Sequence, residues 1–402
     1  MAKIDPGQNI AQLLAEHPET LAVFAAHGFT AESAAQLTAQ VGDDLMLGTV
    51  LKAKRIHAER FIVALEERIA AAGETILATE LPRPGHLNFL GYLVCPLKHQ
   101  FREGFEAVLQ QHWGESVNPP NCYAPMGCGG DDPCENIWQA PTGAAFPDLV
   151  MSVGFDNLFK KAFRDRLVAT GHFQAAPAQP VPEAFRELVD PLGAYTVYGL
   201  FPYVMMIDRL KLGNRPMPRR WEDLLDPLYE GDVTIGGSGD EVNELLLLEA
   251  FARGGAAGVR RLARNVKMIW HAAQMAKTAG SGSPDGAAIY ILPWFFAKTC
   301  PRVGVVEIVW PEDGALVNPM YVLVKKDFPA ALQPLRDYVL GPEFGRAIAE
   351  SFFPSPHPAV VNPLPEGARF KWLGWDYIHN HDLEAELKRV QAIFWEEKRR
   401  PG

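Results

Sequence analysis

Three cysteines in a short Gly- and Pro-rich stretch are the first residues whose types and spacing could do chemistry. Cys122, Cys128 and Cys134 repeat every six residues in NCYAPMGCGGDDPCE, residues 121–135. Three thiols so close together on such a backbone could converge on one metal ion or iron–sulfur cluster, with Cys95 as a fourth ligand. The spacing is not C-x-x-C and matches no zinc-ribbon or ferredoxin pattern, so incidental packing of the thiols competes with that reading. Cys95 opens Cys95-Pro96-Leu97-Lys98-His99 at an expected helix start. The helix dipole and Lys98 would both favour a thiolate there, which makes Cys95 and Lys98 candidate ligand contacts. A buried small hydrophobe is the alternative fate of such a cysteine. His99 lies one helical turn on and could pair with Cys95 as a nucleophile, but no residue is placed to orient its imidazole.

Three further places carry polar or aromatic candidates. Gly236-Gly237-Ser238-Gly239-Asp240-Glu241 joins an expected strand to an expected helix. Backbone N–H groups at such a start suit an anion, yet Asp240 and Glu241 would occupy the positive end. Either the helix is simply capped, or a ligand touching Ser238 and Asp240 is neutral or cationic. Tyr290 and Trp294, in YILPWFF, are expected cleft aromatics, and Glu312 and Asp313, in WPED, are expected polar contacts at a hinge. His379-Asn380-His381-Asp382 could bind a metal, but histidines at i and i+2 do not share a helix face, and Asp382 reads better as a helix cap. The sequence contains no G-x-S-x-G, H-E-x-x-H or P-loop.

The elements that must position these residues read as a helical module followed by an α/β body. Ile10, Leu13, Leu14, Leu21, Val23 and Phe24 fall at helical spacing, with Gly28 as a stop and Thr30 as the next cap. Phe61, Ile62, Leu65 and Ile69 line one side of a further helix over 56–71. Glu80–Gly85 (ELPRPG) reads as a linker. Beyond it, strand-length apolar runs alternate with helical patterns. Strands are expected at 86–94, 148–153, 197–207, 232–235, 287–292, 305–309 and 321–324. Helices are expected from Pro96, over 242–253, around 259–268, near 330–340 and 342–351, and over 382–398. With 402 residues, 48% hydrophobic and 21% charged, the chain can bury more than one core. A net charge of −10 argues against a dedicated nucleic-acid binder. No apolar run is long enough for a transmembrane helix, and the first residues show no secretory h-region. The sequence therefore predicts a cytoplasmic protein with unpaired thiols, or a periplasmic one if a signal has been removed.

Three segments carry a resemblance: WEDLLDPLYEGDVTIGG, IVWPEDGALVNP and LGPEFGRAIAESFFPSPHP. Over about 86–402 they resemble the type II periplasmic solute-binding proteins of ABC transporters, in the iron- and polyamine-type branch. The resemblance implies a two-lobed α/β fold of the type II periplasmic-binding-protein kind. Lobe 1 would span 86–204 and 309–402, and lobe 2 would span 205–308. Ahead of them would come a small all-α domain at 1–75 and a linker at 76–85. QLLAEHPETLAVFAAHGF resembles a small helical domain of unknown function found ahead of several redox and metal-related proteins; a protein partner could dock there. The family implies non-catalytic binding of a small molecule or metal between hinged lobes. In relatives that bind ferric iron a Tyr-Tyr pair follows the strand equivalent to 288–292, and here that pair falls on Phe295-Phe296. The resemblance thus implies an organic ligand against an aromatic wall rather than tyrosinate-held iron. The alternatives are a cytoplasmic metal, iron–sulfur or cofactor carrier that uses the cysteine loop, and an enzyme with a cysteine nucleophile.

Overall fold

The computed structural model describes residues 4–29, 31, 33–42, 45–127, 132–176, 180–238 and 241–400, without the side chains at 67, 70–74, 238 and 241. The chain forms two compact units. One comprises residues 1–151 with 327–338, the other residues 152–326 with 339–402.

The first unit begins with helices α1 (Ile10–Glu16), α2 (Leu21–Ala26), α3 (Ala34–Val41), α4 (Leu47–Ala53) and α5 (Ala58–Glu74). Their apolar faces meet in one cluster that includes Leu13, Phe24, Leu37, Leu51, Phe61 and Leu65. Phe24 sits edge-on to Phe29 at 5.3 Å and to Phe61 at 5.0 Å. Gly28 takes a positive φ of 86°, so it ends α2 as expected. Thr30 lies outside the described residues. Ser33 caps α3 by accepting from the Gln36 N–H.

The α/β part of this unit is a parallel sheet of β1 (Leu77–Ala78), β2 (Phe89–Gly91), β3 (Cys122–Tyr123) and β4 (Leu149–Val153), paired in the order β1-β3-β2-β4. Helix α6 (Lys98–Trp113) lays Phe101 and Phe105 on Phe89, at 5.9 and 4.4 Å. The expected linker starts inside this sheet. Leu77 is buried, and Glu106 of α6 accepts from the Ile76 and Leu77 N–H groups. Two apolar residues were enough to draw the segment into an edge strand.

The second unit is built on β6 (Tyr195–Asp208), preceded by β5 (Phe173–Gln174). A short helix α7 (Arg209–Leu212) follows, capped by Asp208, and then β7 (Val233–Ser238) and β8 (Glu241–Val242). Next come α8 (Glu244–Asn265), β9 (Val266–Trp270), α9 (Ala272–Thr278), β10 (Ile289–Pro293), α10 (Trp294–Lys298), β11 (Val306–Val309) and β12 (Ala315–Lys325). The chain closes with α11 (Pro342–Glu350), β13 (Phe370–Lys371), α12 (Trp375–Asn380) and α13 (Leu383–Lys398). β7 pairs in parallel with both β9 and β10, and β10 pairs antiparallel with β6. The first part of β6 pairs with β12 and its last four residues with β11, both antiparallel.

Alternation along β6 gives the sheet two buried faces. Met205 and Ile207 join a core with Leu246, Leu247, Val259 and Leu262 of α8 and Leu387, Val390 and Phe394 of α13. Val204 and Met206 join another with Met275 of α9 and Trp294 and Ala297 of α10. The two helices expected at 242–253 and 259–268 are two helical segments of α8 that meet at a kink at Gly254–Gly255, where Gly255 adopts φ 56°, ψ −150°. Residues 266–270 are a strand, not helix. Asn265 stops the helix by donating to the Leu224 and Asp226 carbonyls. A short apolar run fits either period, and pairing beside β7 decides it.

Candidate functional site

In open α/β sheets ligands gather where strands end and helices begin. In the second unit this end is formed by the loop after β4, the start of α8, the β9–α9 and β10–α10 junctions, and β6 beside β12.

The β10–α10 junction is set by Pro293, which stops the strand and caps the helix with extended dihedrals. Trp294 is then buried edge-on to Trp310 at 5.1 Å and to Phe352 at 5.0 Å. That anchor leaves Phe295 and Phe296 half-buried at the rim. Phe295 stacks on Phe353 at 5.8 Å, Phe353 on Phe201 at 5.5 Å, and Phe201 meets Tyr203 edge-on at 5.4 Å. On the other side Phe296 meets the ring of His271, the cap of α9, at 5.8 Å. The result is a continuous row of rings from His271 to Tyr203, in which Phe353 is fully buried and Phe201, Tyr203, Phe295 and Phe296 are half-buried.

Tyr203 links this row to polar groups. Its hydroxyl is within hydrogen-bonding reach of Asn318 and feels the Glu244 carboxylate; burial, then Glu244, push its pKa up to about 12. Asn318 in turn lies against Gly154, which has φ 78° and donates its N–H to the Pro319 carbonyl. A cavity of about 630 Å³ opens between the loop 155–160, Val242 and Glu244 at the start of α8, and Glu384, Leu387, Lys388 and Gln391 of α13. Its loop is fixed by half-buried Asp156, which accepts from Ser152 Oγ, from Tyr321 Oη at 2.7 Å and from the Leu158 N–H at 2.9 Å. Burial raises the Asp156 carboxyl above its usual range.

The residues singled out by sequence fall in several places. Tyr290 and Trp294 share one core: Tyr290 is fully buried, its hydroxyl accepts from the Ala287 N–H, and burial pushes it up to about 12. Both stand behind the rim. Glu312 is exposed on the turn before β12. Asp313 is held by Arg253 at 2.9 Å and Lys371 at 3.5 Å and accepts from the Trp221 N–H. Ser238 ends β7, and Asp240 lies outside the described residues. β7 and β8 pair antiparallel, Gly237 with Val242 and Ser238 with Glu241, and Asn243 caps α8 by accepting from the Leu246 N–H.

In the first unit, Cys95 is exposed in the turn that opens α6, and the Lys98 ammonium is taken by the Gly127 carbonyl. Cys122 is buried in β3, and burial holds its thiol far above the usual range. Cys134 is buried too, and burial with Asp132 pushes it up to about 11. Cys128 lies outside the described residues. Among the described residues no three His, Cys, Asp or Glu side chains are grouped to hold a metal ion. In the tail, Asp382 caps α13 through the Ala385 N–H, His379 pairs with buried Asp190 at 3.1 Å, and the His381 ring bonds the Tyr377 carbonyl.

Phe201, Tyr203, Asn318, Glu244 and the 154–157 loop escaped the sequence reading. FPYVMMID alternates, which could have marked Phe201 and Tyr203 as one face. Nothing local marks Asn318, which reaches Tyr203 through strand pairing (Leu316 opposite Tyr203).

No helix among the described residues is long and apolar enough to cross a membrane. A search of curated proteins found no match. Among solved structures, the apo ferric ion-binding protein A of Pasteurella haemolytica is similar at TM-score 0.55 and 17% identity, over 77% of this chain and 97% of that one. A Trichodesmium protein (IdiA, FutA) in complex with iron and citrate is similar at TM-score 0.55 and 14% identity, over 78% and 99%. The substrate-binding protein of an ABC transporter from Agrobacterium tumefaciens is similar at TM-score 0.52 and 14% identity, over 78% and 96%. These likenesses give the chain the two-lobed periplasmic-binding fold. The sequence profile of bacterial extracellular solute-binding proteins matches residues 144–381, more than half the chain. The chain belongs to the bacterial extracellular solute-binding protein family, whose members bind a small ligand without transforming it.

Proposed function

We propose that the protein binds an organic solute at the strand ends of the second unit, as the substrate-binding component of an ABC-type transporter. The solute would carry a planar or apolar face and a neutral or cationic polar end. The row of rings from His271 through Phe295 and Phe353 to Phe201 and Tyr203 carries this reading. Rings at a rim offer area and shape, and a few polar groups beside them set orientation. Tyr203, Asn318 and Glu244 are those groups, and the carboxylate favours a cation over an anion.

Ferric iron on phenolates fits poorly. Phe295 and Phe296 have no oxygen to offer, and Tyr290 is fully buried behind the rim. Family membership favours the outer side of the cytoplasmic membrane over the cytoplasm. Cys95, Lys98, Ser238, Asp240, Glu312 and a cysteine-loop metal have less support than the aromatic rim.

Thermal unfolding in the presence of planar organic amines and neutral aromatic amides tests the proposal. A solute at a hundred times its Kd adds about 2.7 kcal/mol of stability. That gain is expected for the unaltered chain and lost in Phe295→Ala. A gain of equal size in Phe295→Ala would overturn the assignment.

A further inference from the structure

Helix α13 presents three faces. Leu383, Leu387, Val390 and Phe394 are buried, and Glu384, Lys388 and Gln391 border the strand-end cavity. Glu386 and Arg389 turn to the opposite flank, where a separate cavity of about 460 Å³ opens. The two cavities share no lining residue. The second is walled by Leu245, Leu248 and Phe251 of α8, Leu316 of β12, and Trp372 and Tyr377.

The charges on this flank are of two kinds. Glu249 and Lys371 neutralise each other at 3.0 Å, and Arg253 and Asp313 complete that network. Arg389 and Glu386 stand outside it. The Arg389 guanidinium lies over the Phe251 ring at 4.9 Å, and among the described residues no carboxylate pairs with it. The Glu386 carboxylate likewise has no cation partner among the described residues. Residues three apart on a helix hold their Cβ atoms about 5–6 Å apart. An unpaired guanidinium and an unpaired carboxylate thus flank one cavity, largely apolar-walled but lined also by Glu249, Lys371 and His381, that is large enough for a small molecule.

We infer that this flank of α13 is a second small-molecule site, built for a zwitterion with a large apolar body, of which an apolar α-amino acid is the simplest case. Arg389 takes the carboxylate, Glu386 takes the ammonium, and the side chain enters between Leu248, Phe251 and Trp372. The site does not depend on the strand-end reading.

Calorimetric titration of the whole chain with L-phenylalanine, 3-phenylpropionate and phenethylamine tests it. L-phenylalanine is expected to bind saturably, and each analogue, lacking one charge, about ten- to hundredfold more weakly. Arg389→Met and Glu386→Gln alter solvent-facing groups, and each is expected to weaken L-phenylalanine by a similar factor while thermal unfolding stays unchanged. Phe295→Ala is expected to leave this binding intact. Absence of saturable binding, equal binding to Arg389→Met, or loss of binding in Phe295→Ala would overturn the inference.

Discussion

At the scale of single residues, Trp294 and Phe295 are neighbours with opposite duties. Trp294 is buried among Trp310 and Phe352, so Trp294→Ala leaves a large hole and should cost about 3–5 kcal/mol of stability in denaturant unfolding. Phe295 is half-buried at the rim, so its truncation should cost far less stability and fall on ligand binding instead. Arg164 is a third case. Its buried guanidinium donates to the carbonyls of Phe159, Ile378 and His381, and Arg164→Ala strands those acceptors. A loss of about 2–4 kcal/mol is expected by the same measurement. Asp156 makes a pH prediction. Burial raises its folded-state pKa, so the folded chain keeps that proton to higher pH than the unfolded chain does. Stability from this group is therefore lost as pH rises from the unfolded carboxylate value through the folded one. Relative to Asp156→Asn, the unaltered protein should lose stability across that window, and a constant difference would contradict the assignment. The residue types that sequence could judge were those with local roles, such as Asp382 and Gly28. Tyr290 and Trp294 were legible as a conspicuous pair, but which sheet face Tyr290 occupies depends on the register of β10 against β6, where it lies opposite the sequence-distant Met206.

At the scale of elements, the break in α8 is the most specific feature. Gly255 holds φ 56° with ψ −150°, a region closed to residues with a side chain. Gly255→Ala is expected to cost about 1–3 kcal/mol, measured by denaturant unfolding. Most strands and helices of the second unit were readable because Gly, Pro and the apolar period mark them locally. Two readings shifted for physical reasons. Residues 266–270 joined β7 as a strand, and the expected linker at 76–85 opened as β1. In each case hydrogen bonds to a distant partner outweighed a local pattern.

At the scale of the whole molecule, family membership and fold agree on a binder, and the proposal places its organic solute against the ring-lined strand ends. The iron-holding proteins that share the fold are no guide to the ligand at such low identity, because ligand chemistry resides in the few side chains at the strand ends. In the proposed site those side chains are Phe295, Phe296, Phe201 and Tyr203. Titration of the metal-free chain with ferric citrate, followed by visible absorption, tests this most directly. The expected result is no phenolate-to-iron band and no shift in thermal unfolding. Stoichiometric uptake of iron with such a band, abolished in Tyr203→Phe, would contradict the account.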